Sequence, residues 1–285
     1  MPIAVGALLK IILIPAADGI EISGAYIFFT IPLPLGGLPI TETQVNQWLV
    51  MLSLLFVCLY LTHGLKEIPD KKRQHLAEWI VEMTEKLVKS NMGEYFADFA
   101  PFIGAVLGLS AFSSLLSLTG LFPPTSDLNV TAGWAILVFI LITYYKMKCG
   151  PIHYLKSFAE PVPFLAPLNM ISEFATPVSM AFRHYGNILS GTVISVLLAT
   201  ALQGLSRLIL GALPGFLGEI PLFRIGLPAV FSVYFDIFSG CLQAFIFAML
   251  TMLYVAGGFP AEEYFKRQKQ KKGKQKTSIK NLEVI

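Results

Sequence analysis

Long apolar runs dominate the chain, separated by shorter breaks that carry charge, proline or glycine. The runs lie near Thr43–Thr62, Phe99–Leu121, Thr131–Met147, Leu168–Leu202 and Leu227–Gly258. Each reaches or exceeds the roughly 17–25 residues that a helix needs to cross a bilayer. The pattern predicts five membrane helices. Phe122-Pro-Pro-Thr-Ser-Asp-Leu-Asn129 reads as a turn between the second and third, and a polar loop from Lys148 to Pro167 leads into the fourth. The last two runs each offer roughly 30 usable residues, about 45 Å of helix against about 30 Å of hydrocarbon. They must tilt, bend or project, which suggests a long slanted hairpin.

His63–Gly93 has a different pattern. Leu76, Trp79, Ile80, Met83 and Leu87 recur at helical spacing, with Lys72, Arg73, Glu78, Glu82 and Lys89 on the other faces. Pro69-Asp70 suits the helix start. This is expected to be an amphipathic helix lying on the membrane surface. An ordinary soluble amphipathic helix is the alternative, but the chain offers no soluble domain for it to cover. Residues 1–41 hold an apolar stretch interrupted by Lys10 and too short to span. It lacks a basic leader, so an interfacial or extended segment is expected rather than a cleaved signal. No internal repeat is evident.

Composition agrees with the pattern. Hydrophobic residues make up 55%, charged residues 14%, and mean hydropathy is +0.67. A soluble domain carries about 25% charge. The expected class is an all-α integral membrane protein, with an extracytoplasmic segment 1–42, a membrane domain 43–258 and a basic cytoplasmic tail 259–285. Net charge is only +3, so its distribution matters more than its sum. Lys66, Lys71, Lys72 and Arg73 follow the first run, Lys146, Lys148 and Lys156 the third, and seven Lys or Arg between Lys266 and Lys276 the last. The opposite loops carry Asp127, and Arg207, Glu219 and Arg224. Positive charge favours the cytoplasm, so the N-terminus is expected outside and the C-terminus inside. Cys58, Cys149 and Cys241 are scattered, with neither metal nor disulfide spacing. No phosphate-binding glycine loop appears. No cofactor, metal or nucleic-acid partner is expected, and a membrane enzyme is disfavoured.

The chemistry concentrates in the last two runs. Arg183 lies deep in the fourth, where Glu173 is the only other charge. An Arg in hydrocarbon costs about 3 kcal/mol on insertion scales, and such residues usually mark an ion or substrate path. Snorkelling or a structural pair is the plainer reading. Ser179, Asn187 and Ser190 or Gly191 recur near Arg183 at helical spacings, a polar, small-residue stripe. In the last run Asp236, Gly240 and Gln243 fall at i, i+4 and i+7. Gln243 is suited to orient a guanidinium without neutralising it, or simply to bond a neighbouring helix; Asp236 is suited to a path, or to a structural pair with Arg183. The chain directions set Asn187, Thr192, Asp236, Asp127 and Asn129 on the outer side of Arg183. Glu173, Thr176 and Ser179 fall on the inner side. This is the layout of two half-paths separated by a fixed positive charge. His184 points about 100° from Arg183 and reads as a packing residue.

Arg183-x-x-Gly-Asn187, Pro123-Pro-Thr-Ser-Asp-Leu-Asn-Val-Thr131 and Leu242-Gln-Ala-Phe-Ile-Phe247 resemble subunit a of the bacterial F-type ATP synthase, over about Ile40 to Gly258. The resemblance implies five spans with a surface helix, and a non-catalytic stator subunit of a rotary motor in the bacterial inner membrane. Its partners would be a ring of c subunits, each with one membrane carboxylate, b-type peripheral-stalk subunits, the rest of the F1Fo complex and the lipid bilayer. Arg183 would keep the ring carboxylate ionised and block leakage between half-channels for protons or sodium ions. Asn187, Gln243 and Asp236 would belong near the outer half-channel and Glu173 near the inner. The chain departs from the commonest pattern at His184-Tyr185, which stands where Leu-Phe is usual, and at Thr192, where many members carry Glu or His. The competing class is a secondary transporter or scaffold that binds an anionic substrate through Arg183. It would show repeated halves and broken helices, which the sequence lacks.

Overall fold

The computed structural model describes residues 2–5, 25–32, 37–67, 71–159, 162–210, 230, 233–266 and 269. Among them, five helical stretches are long and apolar enough to cross a membrane: Glu42–Thr62, Glu94–Thr119, Leu128–Cys149, Pro163–Ile209 and Ile237–Gly258. They fall where the hydrophobic pattern placed them. Helix α1 is Glu42–Thr62, α2 Lys72–Met92, α3 Ala100–Leu115, α4 Leu128–Lys146, α5 Pro151–Phe158, α6 Ala166–Leu210 and α7 Gly240–Gly258. A wide π-helical turn, Val233–Ser239, leads into α7.

The core follows the small and branched residues. Val88 and Met92 of α2, Ile103 of α3, Ala135, Val138 and Ile142 of α4, and Ala248, Met252 and Val255 of α7 form one buried cluster. A smaller cluster of Val50, Leu116 and Leu121 fills the Asp127 end of the bundle. Close helix approach there depends on small residues. A Cβ at Gly240 would stand 2.8 Å from the Cβ of Ser114 on α3, so only glycine fits.

Helix α2 is the amphipathic element. Val88 and Met92 bury its C-terminal end, while Leu76, Trp79, Ile80 and Met83 stay exposed. Its N-terminal end is tied back by Gln74, whose Nε2 donates to the Lys66 carbonyl at 2.6 Å. The proposed start at Pro69-Asp70 lies outside the described residues; the helix begins at Lys72.

Three features add to the sequence pattern. The segment after Lys148, expected as loop, contains the short helix α5: Gly150 takes φ 104° and Pro151 opens the helix at its first turn. Helix α6 extends beyond the expected Leu168–Leu202 at both ends and runs 45 residues through Pro177, about 67 Å at helical rise. A bilayer core of about 30 Å cannot hold that length upright. The connection 211–229 and the expected helix start at Leu227 lie outside the described residues. Two parts of the segment 1–41, expected as extended or interfacial, pair as antiparallel strands: β1, Ile27–Ile31, and β2, Leu38–Thr41.

Candidate functional site

Arg183 lies near the middle of α6 on its exposed side and makes no hydrogen bond or ion pair with any described residue. Around it the same side shows Ile194 and Leu197, with Phe182 next to it, all large, apolar and exposed. Ser179, one turn before Arg183, and Ser190, two turns after, are also exposed. The opposite side of α6 faces the bundle, where Met180, Ala181, His184 and Ile188 are buried. The predicted polar stripe is therefore divided. Ser179, Arg183 and Ser190 look out, whereas Gly191 is buried and Asn187 turns toward the start of α7.

Asn187 joins α6 to the π turn. Its Nδ2 donates to the Ser239 carbonyl at 3.3 Å, and the Ser239 hydroxyl donates to its Oδ1 at 2.9 Å. Ser239 was not singled out from sequence; its place next to Gly240 was the available signal. The π turn carries Asp236 in its backbone, so strict α spacing from Asp236 to Gly240 and Gln243 does not apply. The Asp236 side chain lies outside the described residues. Gln243 is buried on α7 without a hydrogen bond to Arg183. Thr192 donates back to the Ile188 carbonyl at 3.0 Å.

Other polar groups line the same interior. Ser110 of α3 meets His184 Nε2 at 3.2 Å, and the imidazole sits edge-on between Trp134 and Phe247. His184 is fully buried, in keeping with a packing position. The hydroxyls of Ser113 and Ser114 are buried and have no protein partner among the described residues. Hydroxyls on α3 thus line this interior, Ser110 against His184 and Ser114 against Gly240, the kind of surface that water or an ion can solvate.

Asp127 and Asn129 stand at one end of the bundle. Asp127 caps α4 by accepting from the Asn129 backbone N–H at 2.9 Å, and accepts from the Thr43 hydroxyl at 2.7 Å. The Asn129 side chain itself is exposed. Glu173 lies at the other end, and its carboxylate is held on both oxygens. Lys146 Nζ is 2.9 Å from Oε2, and the Tyr154 hydroxyl donates to Oε1 at 3.1 Å. A cavity of about 360 Å3 opens beside this pair, lined by Ser157, Asn169, Ser172 and Thr176. The partner lysine was read from sequence only as a topology charge. Outside the spans, the Tyr154 hydroxyl is pushed above its usual range, first by burial and then by the charge of Glu173.

The geometry is therefore a guanidinium without a partner among the described residues, on an exposed face of its helix, with polar groups behind it and at both ends. Residues 45–256 match the ATP synthase A chain family. The chain belongs to this family. An ATP synthase subunit a of Legionella pneumophila (strain Philadelphia 1) is 31% identical over 231 residues, covering 80% of this chain and 91% of the relative. One from Moorella thermoacetica is 32% identical over 225 residues, covering 78% and 92%. The sodium-ion-specific subunit a of Propionigenium modestum is 29% identical over 275 residues, covering 85% and 88%. Membership in the family and five apolar spans make the chain a multi-pass component of an ATP synthase membrane sector. Among the described residues no group of His, Cys, Asp and Glu is arranged to hold a metal.

Proposed function

We propose that this chain is the stationary ion-channel subunit of a rotary F-type ATP synthase, with Arg183 facing a ring of carboxylate-bearing c subunits. The observation that carries this is the exposure of Arg183 on an apolar face without a partner among the described residues. A charge in that setting is suited to meet an opposite charge brought by another molecule. A carboxylate brought beside it is stabilised in its ionised form, which releases the carried ion and keeps the two sides separate.

The half-channels follow from the polar groups on either side. The outer one runs from the Asp127 and Asn129 end past Thr192, Asp236, the Asn187–Ser239 contact and Gln243, with the hydroxyls of Ser113 and Ser114 toward its inner wall. The inner one runs from the cavity beside Glu173, past Thr176, to Ser179. Each delivers or removes a proton or sodium ion on one side of Arg183. The N-terminus is then outside and the C-terminus cytoplasmic, with b-type peripheral-stalk subunits holding this chain against the rotating ring.

Arg183→Ala tests the assignment. Ion-driven ATP synthesis in reconstituted vesicles should fall to background while the subunit still inserts and assembles, because removal of the charge lightens insertion. Normal coupled synthesis by the assembled mutant would end the proposal.

A further inference from the structure

We propose that the β1–β2 hairpin is a membrane-surface anchor, seated in the boundary between lipid headgroups and acyl chains at the Asp127 end of the bundle. All five residues of β1 are exposed. Successive side chains of a regular strand point to opposite faces, yet β1 is apolar at Ile27, Phe28 and Phe29 in succession. A bulge between Ile27 and Phe29 interrupts the alternation, and Tyr26 (63%), Ile27 (52%), Phe28 (50%), Phe29 (58%) and Ile31 (41%) are all exposed. A strand with one face in water alternates apolar with polar residues. This one leaves no face suited to water, and Leu38 of β2 adds to the same exposed patch.

Three observations favour lipid over a protein partner. Residues 25–41 contain no Asp, Glu, Lys or Arg, so the hairpin offers no charge for pairing with a protein surface. Both faces of β1 are exposed, whereas one flat partner covers one face; lipid can surround both. The patch also continues an exposed apolar surface of a membrane-spanning helix. The Glu42 backbone N–H donates to the Tyr26 carbonyl at 2.8 Å, pinning β1 to the start of α1, where Trp48, Leu52 and Leu55 are exposed. Tyr26 and Trp48 suit the aromatic belt of the interface.

Depth is limited by the backbone. A two-stranded hairpin has open edges, and unpaired N–H and C=O groups are not tolerated in the hydrocarbon core. Pro32 and Pro39 remove two donors, which eases the interface without permitting full insertion. The Thr43–Asp127 hydrogen bond marks the polar level beside which the hairpin lies. The anchor does not depend on the role given to Arg183.

The test places nitroxide labels at Phe28→Cys and Phe29→Cys, adjacent exposed positions of β1, with the native cysteines replaced, in the assembled complex in phosphatidylcholine vesicles. Both labels should collide readily with oxygen, with nickel-chelate collisions several-fold below an Asn129→Cys control. Nickel access at either position equal to the control would overturn the proposal in favour of a hydrated hairpin. Shielding from both reagents would overturn it in favour of a protein cover. The wild-type complex gives a check that needs no variant: phospholipid with a photoreactive group at the top of its acyl chain should label residues 25–31. Adducts confined to the spanning helices would overturn the anchor.

Discussion

Replacing Lys146 by methionine strands the Glu173 carboxylate. The Glu173 side chain is 8% exposed and its Oε2 has Lys146 Nζ at 2.9 Å, leaving the Tyr154 hydroxyl as the remaining donor in the trio. Breaking a buried ion pair typically costs about 3–5 kcal/mol. Lys146 is 28% exposed and a polar cavity adjoins the pair, so hydration offsets part of that, leaving about 2 kcal/mol. Glu173→Gln should cost less, because its amide oxygen can still accept from Tyr154 and the lysine can extend its ammonium to water. The double mutant should be less destabilised than the sum of the two singles, since the stranded carboxylate is gone. Cys149, buried three residues beyond Lys146, reports opening of this end. A local loss of about 2 kcal/mol raises the open population about thirtyfold. Thiol modification of Cys149 in the purified complex, resolved by peptide mass, should therefore accelerate by that order in Lys146→Met. It should recover by several-fold when Glu173→Gln is added. A change within about threefold for Lys146→Met, under the 1.4 kcal/mol that marks a tenfold change, or strict additivity of the three variants, would refute the argument.

Two further results are expected. Gly240→Ala puts its Cβ 2.8 Å from the Ser114 Cβ, against about 3.5 Å for carbon contact, and should cost about 1–3 kcal/mol as overpacking. Lower thermal stability of the complex, partly restored by Ser114→Gly, checks it; an unchanged melting point would show that α3 and α7 yield freely. Ser126→Cys and Ser278→Cys in a cysteine-free background report topology: the first should react with an impermeant maleimide from outside and the second from the cytoplasm, and the reverse would invert the orientation.

The spans were legible because the physics behind them is coarse: about twenty apolar residues satisfy a bilayer whatever their order. The core face of α2 was less so. Its periodic apolar residues Leu76, Trp79, Ile80 and Met83 stay exposed, and the core takes Val88 and Met92 instead. Periodicity shows that a face is apolar, and lipid and protein satisfy it alike. The hairpin was missed as strands because both faces of β1 are apolar, so the usual alternation is absent. Pairings across long separations left no local signal. Asn187 with Ser239 lies 52 residues apart, and Lys146 with Glu173 joins two different helices. The break from α to π spacing at Val233–Ser239 was likewise hidden, because a one-residue widening of a turn leaves the composition unchanged.

Glu173 and Arg183 lie ten residues apart on the same helix, yet the structure treats them in opposite ways. The carboxylate is answered inside the chain, by Lys146 from α4 and Tyr154 from α5. That arrangement ties three helices together at one end of the bundle. The guanidinium has no counter-charge among the described residues and stands on the face that the bundle leaves uncovered. Hydrocarbon imposes the same kind of penalty on both charges, so their different surroundings separate their roles. A charge balanced within one chain helps hold the fold; on the proposed function, the charge left open at the surface of the bundle is balanced by a partner that arrives. In that proposal the partner carries a carboxylate and moves, so each arrival and departure is an ionisation event, and the polar groups on either side of Arg183 would set from which side the ion comes.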